Sequence, residues 1–389
     1  MMSLASDIQA TKEVDLHILS VSNKIKDLLV LKGESITYYI LPYRKKTADY
    51  HYLMEKVNQL VLPDVVHVHG TEYPYGKAYI EACGNDNVVV SIQGVISEIA
   101  KHYHDGIRVA DIYRNITIRD VLRNTIVGEK HQFERRGKDE IATLKSVKHV
   151  IGRTTFDKAH CLAINPALNY HNANESLRGE FYSDEWRYEN CVPHSIFISQ
   201  SSYPVKGLHQ VLKAMPLILS RFPNTKIRVA GGDIIHCQGL NGKLRLSGYS
   251  RYLRTLINKL SLGDKITFTG PLDSEGMKKE YLRTNVFVCP STIENSPNSL
   301  GEAQMLGVPC VASYVGGIPD MIPNQACGEM FRFDDVEMLA WKVCDMFEHS
   351  LTFDNSEMRR VARERHDKIR NVSQMIEIYK TVMTTNKRK

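Results

Sequence analysis

Two glutamates separated by seven residues are the residues of this chain that are best suited to bind a polar ligand. Glu294 is in a short polar loop that follows the apolar run 286–289, and Glu302 is in the helix-forming segment after the loop. Each carboxylate can accept hydrogen bonds from sugar or ribose hydroxyls. The plainer interpretations are that Glu294 is a solvated loop charge and that Glu302 is a helix residue stabilised by the N-terminal dipole. The spacing alone leaves these interpretations open.

The residues between the two glutamates predict an anion site. Pro297 suits a helix N-terminus because it has no N–H group to leave unsatisfied there. The N–H groups of Asn298, Ser299 and Leu300 would then face outward at the positive end of the helix dipole. The dipole contributes about 0.3–1 kcal/mol to anion binding, and several N–H groups bonded to a charged oxygen add to it. Phosphate is the ligand that this arrangement predicts.

Alternating strands and helices are predicted along most of the chain. The apolar runs are rich in β-branched residues, which is typical of parallel strands covered by helices on both faces. Ligands bind beyond the carboxyl ends of such strands. The predicted strands are residues 14–21, 36–41, 65–68, 88–92 and 149–151, and, after a polar, aromatic-rich break at 181–193, residues 196–199, 227–230, 266–269, 286–289 and 308–312.

The break divides the chain into two α/β halves of similar size. We predict a first domain at residues 1–185 and a second at residues 186–370. A C-terminal helix with a basic tail, residues 371–389, could pack back on the first domain. Two open sheets facing each other would have the active site in the cleft between them.

The composition is that of an ordinary globular protein. The 389 residues are 43% hydrophobic and 24% charged, so most of the chain is not disordered. No apolar run approaches the ~20 residues that cross a bilayer, and the first residues lack the features of a signal peptide, which favours the cytoplasm. None of the eight cysteines forms a CxxC pair, so we expect reduced, packed cysteines and no zinc site.

Basic residues are concentrated in residues 101–153. This segment holds twelve Lys or Arg against seven Asp or Glu, with aromatic and apolar residues between them. The pattern fits a solvated helix face, or a surface that docks on acidic lipid or meets an anionic acceptor. No helix-turn-helix, zinc-finger or RNA-binding signature accompanies it, so we expect no nucleic-acid partner.

The spacing of the site residues resembles a block found in one enzyme family. The pattern P-S-x2-E-x7-E-A-x3-G-x-P-x-V-A-x3-G-G runs from Pro290 to Gly317. It resembles the donor-site block of the family-4 retaining glycosyltransferases, which have the α/β fold GT-B, with two facing Rossmann-like domains and an interdomain cleft. The resemblance covers most of residues 195–330 and, more loosely, 64–93. It implies transfer of a sugar from a nucleotide-diphosphate sugar with retention of anomeric configuration.

The resemblance assigns roles to the residues of the strand–loop–helix segment. Glu294 would contact hydroxyls of the transferred sugar, and Glu302 would hold the nucleotide ribose. The helix start, at Asn298, Ser299 and Leu300, would take the diphosphate, as the residue types themselves indicate.

A lysine and several glycines complete the donor site that the resemblance implies. Lys206, paired with Gly207, would neutralise charge on the leaving diphosphate. Gly231 and Gly270 resemble loop positions near the base, and Gly317 a loop near the donor, although glycines also close ordinary turns. No Asp-x-Asp motif is present, so we predict metal-independent transfer, with no cofactor beside the nucleotide-sugar co-substrate.

Acceptor-side residues are predicted in the first half. His69 ends a predicted strand and alternates with His67, so both face one side. A histidine pair packed under a helix is the plainer interpretation, and no third ligand is spaced for a metal. Gln93, His102 and Arg153 follow later strands and are further candidates.

The chain departs from the family pattern at two places. Gln200-Ser201 stand where the family has Gly-Arg, so one of two cations expected at the diphosphate is missing. The first clear strand, residues 14–21, resembles the second strand of the family, so we expect that about 25–35 residues carrying a strand and a Gly-rich loop are lacking. Acceptor binding would then be weakened while donor binding survives.

The sequence therefore predicts a retaining glycosyltransferase acting on a saccharide or lipid-linked saccharide, in surface polysaccharide synthesis. A degenerate relative that binds nucleotide-sugar without transfer is the alternative. A nicotinamide dehydrogenase is disfavoured, because no GxGxxG follows a strand. The expected location is the cytoplasm, at the inner face of the membrane if the basic segment docks on lipid.

Overall fold

The computed structural model describes residues 2–233 and 246–386, which divide into two compact units. The first unit comprises Met1–Ser97, Arg135–Ser176 and His366–Lys389, and the second comprises Glu98–Glu134 and Leu177–Arg365. The helices of the described residues are α1 (Met2–Thr11), α2 (His51–Val61), α3 (Tyr75–Cys83), α4 (Ile96–Lys101), α5 (Val109–Arg114), α6 (Ile118–Leu122), α7 (Ile126–Ser146), α8 (Thr155–Ile164), α9 (Leu208–Arg221), α10 (Gly248–Lys259), α11 (Ser274–Arg283), α12 (Asn298–Leu306), α13 (Ile318–Met321), α14 (Val336–His349), α15 (Ser356–Arg365) and α16 (Lys368–Asn386).

The first unit contains two sheets. The strands β1 (Leu16–Ser22), β2 (Leu29–Lys32) and β3 (Ile36–Pro42) form one sheet in the order β1-β3-β2, in which β2 is antiparallel to β3. The strands β4 (Val66–His69), β5 (Val88–Ser91), β6 (His149–Gly152) and β7 (Asn169–Asn172) form a parallel sheet in that order. The loss of a family strand stays a prediction, because no observation tests it.

Helices cover both faces of the parallel sheet of the first unit, as expected from its continuous β-branched runs. Val88 and Val90 pack in a cluster with residues of α7 and α8, whereas Val89, between them, packs with residues of α1 and α16. Successive strand residues point to opposite faces, so β5 is buried on both sides. The C-terminal helix α16 therefore belongs to the core of the first unit.

The second unit contains one six-stranded parallel sheet. Its strands are β8 (Val192–Ile198), β9 (Lys226–Val229), β10 (Ile266–Phe268), β11 (Thr284–Cys289), β12 (Cys310–Ser313) and β13 (Glu329–Phe331), in the order β10-β9-β8-β11-β12-β13. This is the Rossmann order, with every pair parallel. The predicted α/β class with parallel sheets is confirmed, with β2 as the antiparallel exception.

The observed units differ from the predicted boundaries at the linker and at residues 98–134. The aromatic residues of the linker are core residues, since Phe181 and Trp186 are buried among the side chains of the second unit. Trp186 Nε1 donates to the carbonyl of Thr284 at 2.7 Å. Residues 98–134 group with the second unit because Asp120, in α6, accepts from the N–H of Gly248 at the start of α10, at 3.0 Å.

Candidate active site

The carboxyl ends of β8 and β11 border a pocket within the second unit. The strand order changes direction between these two strands, and ligands of open parallel sheets bind at such a switch point. The pocket has a volume of about 320 Å³. Its lining includes Arg178, Gln200, Lys206, Glu294, Asn298 and Glu302. Four of these six residues were predicted as site residues, and Gln200 was identified as a departure from the family pattern. Arg178 was not identified from the sequence.

Lys206 and Glu294 form an ion pair in the pocket. Lys206 ends the 3-10 turn Pro204–Lys206 after β8, and its Nζ lies 2.6 Å from Glu294 Oε1. The hydroxyl of Ser291 donates to the same oxygen at 2.8 Å. The exposed fractions of the two charged side chains are 19% and 13%. Burial alone would lower the pKa of Lys206, but the Glu294 carboxylate and the neighbouring Tyr203 together raise that pKa above its ordinary value. Lys206 is therefore a permanent cation in this pocket.

Two glycines allow the loops of the pocket to approach closely. Gly207 has φ +70°, and a Cβ there would lie 1.7 Å from the carbonyl oxygen of Pro290. Gly316 has φ +51°, and its Cβ would lie 1.9 Å from the carbonyl oxygen of Glu294. The N–H of Gly317 donates to the same carbonyl at 3.0 Å. Both φ values favour glycine and both clashes are with backbone, so the Lys-Gly and Gly-Gly pairs hold the loop that carries Glu294.

The helix α12 begins directly after Pro297, as the sequence predicts. Asn298 and Ser299 line the pocket at the N-terminus of the helix, where a phosphate would meet N–H groups and the dipole. Leu300 is fully buried, and its N–H donates to the carbonyl of Pro297 at 3.0 Å. The N–H group of Leu300, which we expected to be free, thus has an acceptor in a tight first turn. Asn298 and Ser299 remain the pocket-facing residues of this turn.

Glu302 lies one turn further along α12 and is held by two side chains. The guanidinium of Arg178 donates to Glu302 Oε1 from Nε at 3.1 Å and from Nη2 at 2.8 Å. The hydroxyl of Tyr281 lies 3.4 Å from Glu302 Oε2 and 3.0 Å from the carbonyl of Ser299. Burial raises the pKa of Glu302, and Arg178 opposes that shift. Sequence reasoning missed Arg178, because nothing near it in the chain marks it as a site residue.

The remaining predicted donor glycines lie at the same edge of the sheet. Gly231 and Gly270 follow β9 and β10 and form a bridge in which the Gly231 N–H donates to the Gly270 carbonyl at 3.1 Å. Both have positive φ, and a Cβ on either would meet none of the described residues within 4 Å. Within the part of the chain that the structure describes, a ligand would therefore have space next to this bridge.

The first unit has a polar cluster of its own at the carboxyl ends of β4 to β7. It contains three predicted residues, His69, Gln93 and Arg153, joined by Glu175. Glu175 accepts a hydrogen bond from Gln93 Nε2 at 2.7 Å and forms an ion pair with Arg153 Nη1 at 3.1 Å. His69 Nε2 lies 3.7 Å from Glu175 Oε1. Burial would raise the pKa of Glu175, but the Arg153 charge and the hydrogen bond from Gln93, together with His69, lower that pKa. Burial lowers the pKa of His69. Sequence reasoning missed Glu175, although its position just after β7 was a usable signal.

His102 does not belong to that cluster and lies in the second unit. Its Nδ1 is 2.6 Å from Asp105 Oδ2, and its carbonyl accepts from the hydroxyl of Thr292 at 2.8 Å. Thr292 is two residues before Glu294, so His102 contacts the loop of the pocket. His67, the partner of His69 in the predicted alternation, instead bonds the hydroxyl of Tyr379 at 2.8 Å through Nδ1.

The described residues, 2–233 and 246–386, hold no cluster of metal ligands. No group of three or more His, Cys, Asp or Glu side chains in these residues could hold a metal ion. The seven cysteines of these residues are free, and Cys237 lies outside them. No helix in this part of the chain has the length and apolar character needed to cross a membrane.

Several solved glycosyltransferase structures are similar to this chain in fold. Sucrose-phosphate synthase from Thermosynechococcus elongatus has a TM-score of 0.73 at 16% identity, covering 98% of this chain and 92% of that chain. HepE of Anabaena, solved with UDP and glucose, has a TM-score of 0.66 at 13% identity, covering 94% and 100%. WaaG, a glycosyltransferase involved in lipopolysaccharide biosynthesis, has a TM-score of 0.64 at 14% identity, covering 98% and 94%. The fold is therefore that of the GT-B glycosyltransferases.

The sequence of the second unit matches a family. Residues 193–368 match the model of the family Glycosyl transferases group 1. The matched residues include Lys206, Glu294 and Glu302, and thus most of the pocket. The resemblance seen in the sequence is confirmed at the level of this family over these residues.

Two curated relatives align with parts of the chain. An uncharacterized glycosyltransferase of Methanocaldococcus jannaschii is 30% identical over 148 residues, which are 38% of this chain and 34% of that protein. A GDP-mannose-dependent alpha-(1-6)-phosphatidylinositol monomannoside mannosyltransferase of Mycolicibacterium smegmatis is 24% identical over 150 residues, which are 37% and 36%. The chain thus spans about a third of the length of these relatives.

Proposed function

We propose that the chain is a retaining, metal-independent glycosyltransferase that uses a nucleotide-diphosphate sugar. One observation carries the proposal. A single pocket combines the Lys206–Glu294 pair, the N-terminus of α12 and Glu302, in a segment that matches the group 1 glycosyltransferase family. A nucleotide-diphosphate sugar needs groups of these kinds for its sugar, its diphosphate and its ribose.

The chemistry follows from the charges in the pocket. The bond between the sugar and the diphosphate breaks with negative charge building on the leaving phosphate oxygen. Lys206 and the N–H groups at Asn298 and Ser299 would stabilise that charge without a metal ion, because they are fixed before the reaction. Glu294, held by Lys206 and Ser291, would orient the sugar through its hydroxyls. Retention of configuration rests on the family-4 resemblance.

The acceptor in this proposal is a saccharide or lipid-linked saccharide of a surface polysaccharide or glycolipid. The named substrates and pathways of two relatives, a phosphatidylinositol mannoside and lipopolysaccharide, support this class. The cluster of His69, Gln93, Arg153 and Glu175 offers donors and acceptors for hydroxyl groups, and we propose that it contributes to acceptor binding.

Calorimetric titration with UDP, GDP and ADP, in the presence of a chelator, tests the proposal. We expect one of the three to bind with micromolar affinity, because the pocket supplies its own cations. Binding that appears only after magnesium is added would contradict the metal-independent site. Binding of a nucleotide without sugar release or transfer to any saccharide acceptor would favour the alternative, a relative that binds nucleotide-sugar without transferring it.

We also propose that the basic segment docks on the inner, cytoplasmic face of an acidic membrane. Ile112, on the inner side of α5, is buried, whereas the outer side of α5 and α6 exposes apolar side chains. Exposed arginines, among them Arg108, Arg114 and Arg123, accompany them. Apolar side chains next to cations are the combination that inserts at an anionic lipid surface. The exposed apolar residues are Val109, Tyr113, Ile118, Val121 and Leu122, at 58–75%.

Flotation with vesicles of neutral lipid, with and without acidic lipid, tests the membrane proposal. We expect binding to acidic vesicles that weakens with salt and is lost in a Val121→Ser/Leu122→Ser variant. The matched control is Leu60→Ser/Leu62→Ser, since Leu60 and Leu62 are similarly exposed in the first unit, at 59% and 77%. Equal binding of both variants would refute this docking surface.

A further inference from the structure

The donor pocket lacks a cation at the place where the family pattern has one. Gln200 lines the pocket and Ser201 is buried, so neither residue supplies a positive charge. Lys206 is present, but its charge is already matched by Glu294 at 2.6 Å. A nucleoside diphosphate carries more than one negative charge. Among the residues that the structure describes, the matched lysine and the helix N-terminus leave part of that charge unbalanced.

Arg178 brings a second cation into the same pocket from a distant part of the chain. Its guanidinium carbon lies 4.9 Å from the centre of the Phe181 ring, which supports the guanidinium from one side. The side chain is 43% exposed, whereas its partner Glu302 is 7% exposed. The arginine thus faces the pocket from the linker that follows β7.

The position of Glu302 brings Arg178 close to the predicted phosphate site. Residues three and four apart on a helix share a face, so Glu302 lies on the same side of α12 as Asn298 and Ser299, about one turn or ~5 Å along. Arg178 donates to Glu302 from two of its nitrogens, Nε and Nη2. The guanidinium has five N–H donors in a planar fork that fits phosphate oxygens, so it can bond a phosphate while it keeps a contact with Glu302.

We propose that Arg178 is the second diphosphate-binding cation of this pocket, in place of the arginine missing at Gln200-Ser201. The inference rests on the proposed nucleotide-sugar function and names the residue that completes it. Without nucleotide, Arg178 pairs with Glu302. When the donor binds, the ribose hydroxyls share the Glu302 carboxylate, and the guanidinium keeps one contact with Glu302 while its other N–H groups bond the diphosphate.

The test compares diphosphate and nucleoside binding by calorimetry with the full chain. The ligands are the nucleoside diphosphate that the wild type binds and the corresponding nucleoside, and the variants are Arg178→Ala and Arg178→Lys. We expect Arg178→Ala to weaken diphosphate binding by about 10-fold or more and nucleoside binding by less than about 3-fold. Arg178→Lys should lie between, because it keeps the charge and loses the fork.

The control variant is Arg332→Ala, which removes an exposed arginine paired with Asp334 outside the pocket and should bind both ligands as the wild type does. Equal losses for both ligands, or unchanged diphosphate binding in Arg178→Ala, would overturn the proposed role of Arg178. The proposed function itself would not be affected by either result. A wild type that binds no nucleoside diphosphate would overturn the proposed function together with this inference. If Arg178→Ala unfolds, Arg178→Gln replaces it, because glutamine retains a donor for Glu302. The losses of diphosphate and nucleoside binding are then compared in that variant.

Discussion

Lys206→Ala is expected to lower turnover by about 10²–10³-fold, the cost of removing one fixed donor from a transition state that gains negative charge. Lys206 stays protonated throughout the range of an assay, because the Glu294 carboxylate raises its pKa. We therefore expect its charge to act on the leaving diphosphate in every turnover. The measurement is kcat for sugar transfer, or for donor hydrolysis if the acceptor is unidentified, with KM for the donor changing less than kcat.

Loss of stability must be separated from loss of catalysis in this variant. Removing Lys206 leaves Glu294 buried without its cation, and breaking a buried pair in this way costs about 3–5 kcal/mol of stability. Lys342 and Glu329 form a matched pair at 2.7 Å, with exposed fractions of 18% and 14%. Lys342→Ala should lower the melting temperature as much and leave kcat unchanged. A Lys206→Ala protein that is folded and within about 3-fold of wild-type kcat would remove Lys206 from the mechanism.

The strand–loop–helix segment could be predicted because its signals are local. The run 286–289 falls within β11 (Thr284–Cys289), and α12 begins at Asn298 directly after Pro297. A continuous apolar run and a proline each restrict the backbone within a few residues. The same reasoning missed β7 (Asn169–Asn172), whose residues are polar and which lies at the edge of its sheet. It also missed β2 and β13, which lie at the edges of their sheets as well.

The contacts that complete the pocket could not be predicted, because they join residues distant in the chain. Arg178 and Glu302 are 124 residues apart, and Gln93 and Glu175 are 82 apart. A single sequence indicates that an arginine is present but not which carboxylate it meets. The same limit applies to the predicted break at 181–193, since the polar residues around Phe181 and Trp186 conceal two core aromatics. Local sequence patterns thus predicted the strand, loop and helix of the candidate site. The pairing of its charged side chains depends on the tertiary structure.

Glu302→Ala is expected to weaken binding of the nucleoside diphosphate by about 10–100-fold, because the ribose loses hydrogen bonds to a charged acceptor worth about 1.5–3 kcal/mol. The buried carboxylate, held by Arg178 and Tyr281, is fixed before the nucleotide arrives. The measurement is the dissociation constant by calorimetry. The control is Glu280→Ala, which breaks a bidentate pair with Arg228 in the same unit and should leave nucleotide affinity unchanged.

A 2′,3′-dideoxy nucleoside diphosphate shows whether the loss in Glu302→Ala arises at the ribose. The wild type should bind the dideoxy compound about 10-fold or more weakly than the ribose compound, because Glu302 then lacks its hydroxyl partners. Glu302→Ala should bind the two compounds alike, since two changes that remove one interaction are not additive. This comparison also cancels the effect of releasing Arg178, which acts equally on both ligands. A variant that still prefers the ribose compound as strongly as the wild type does would show that the ribose hydroxyls bind elsewhere.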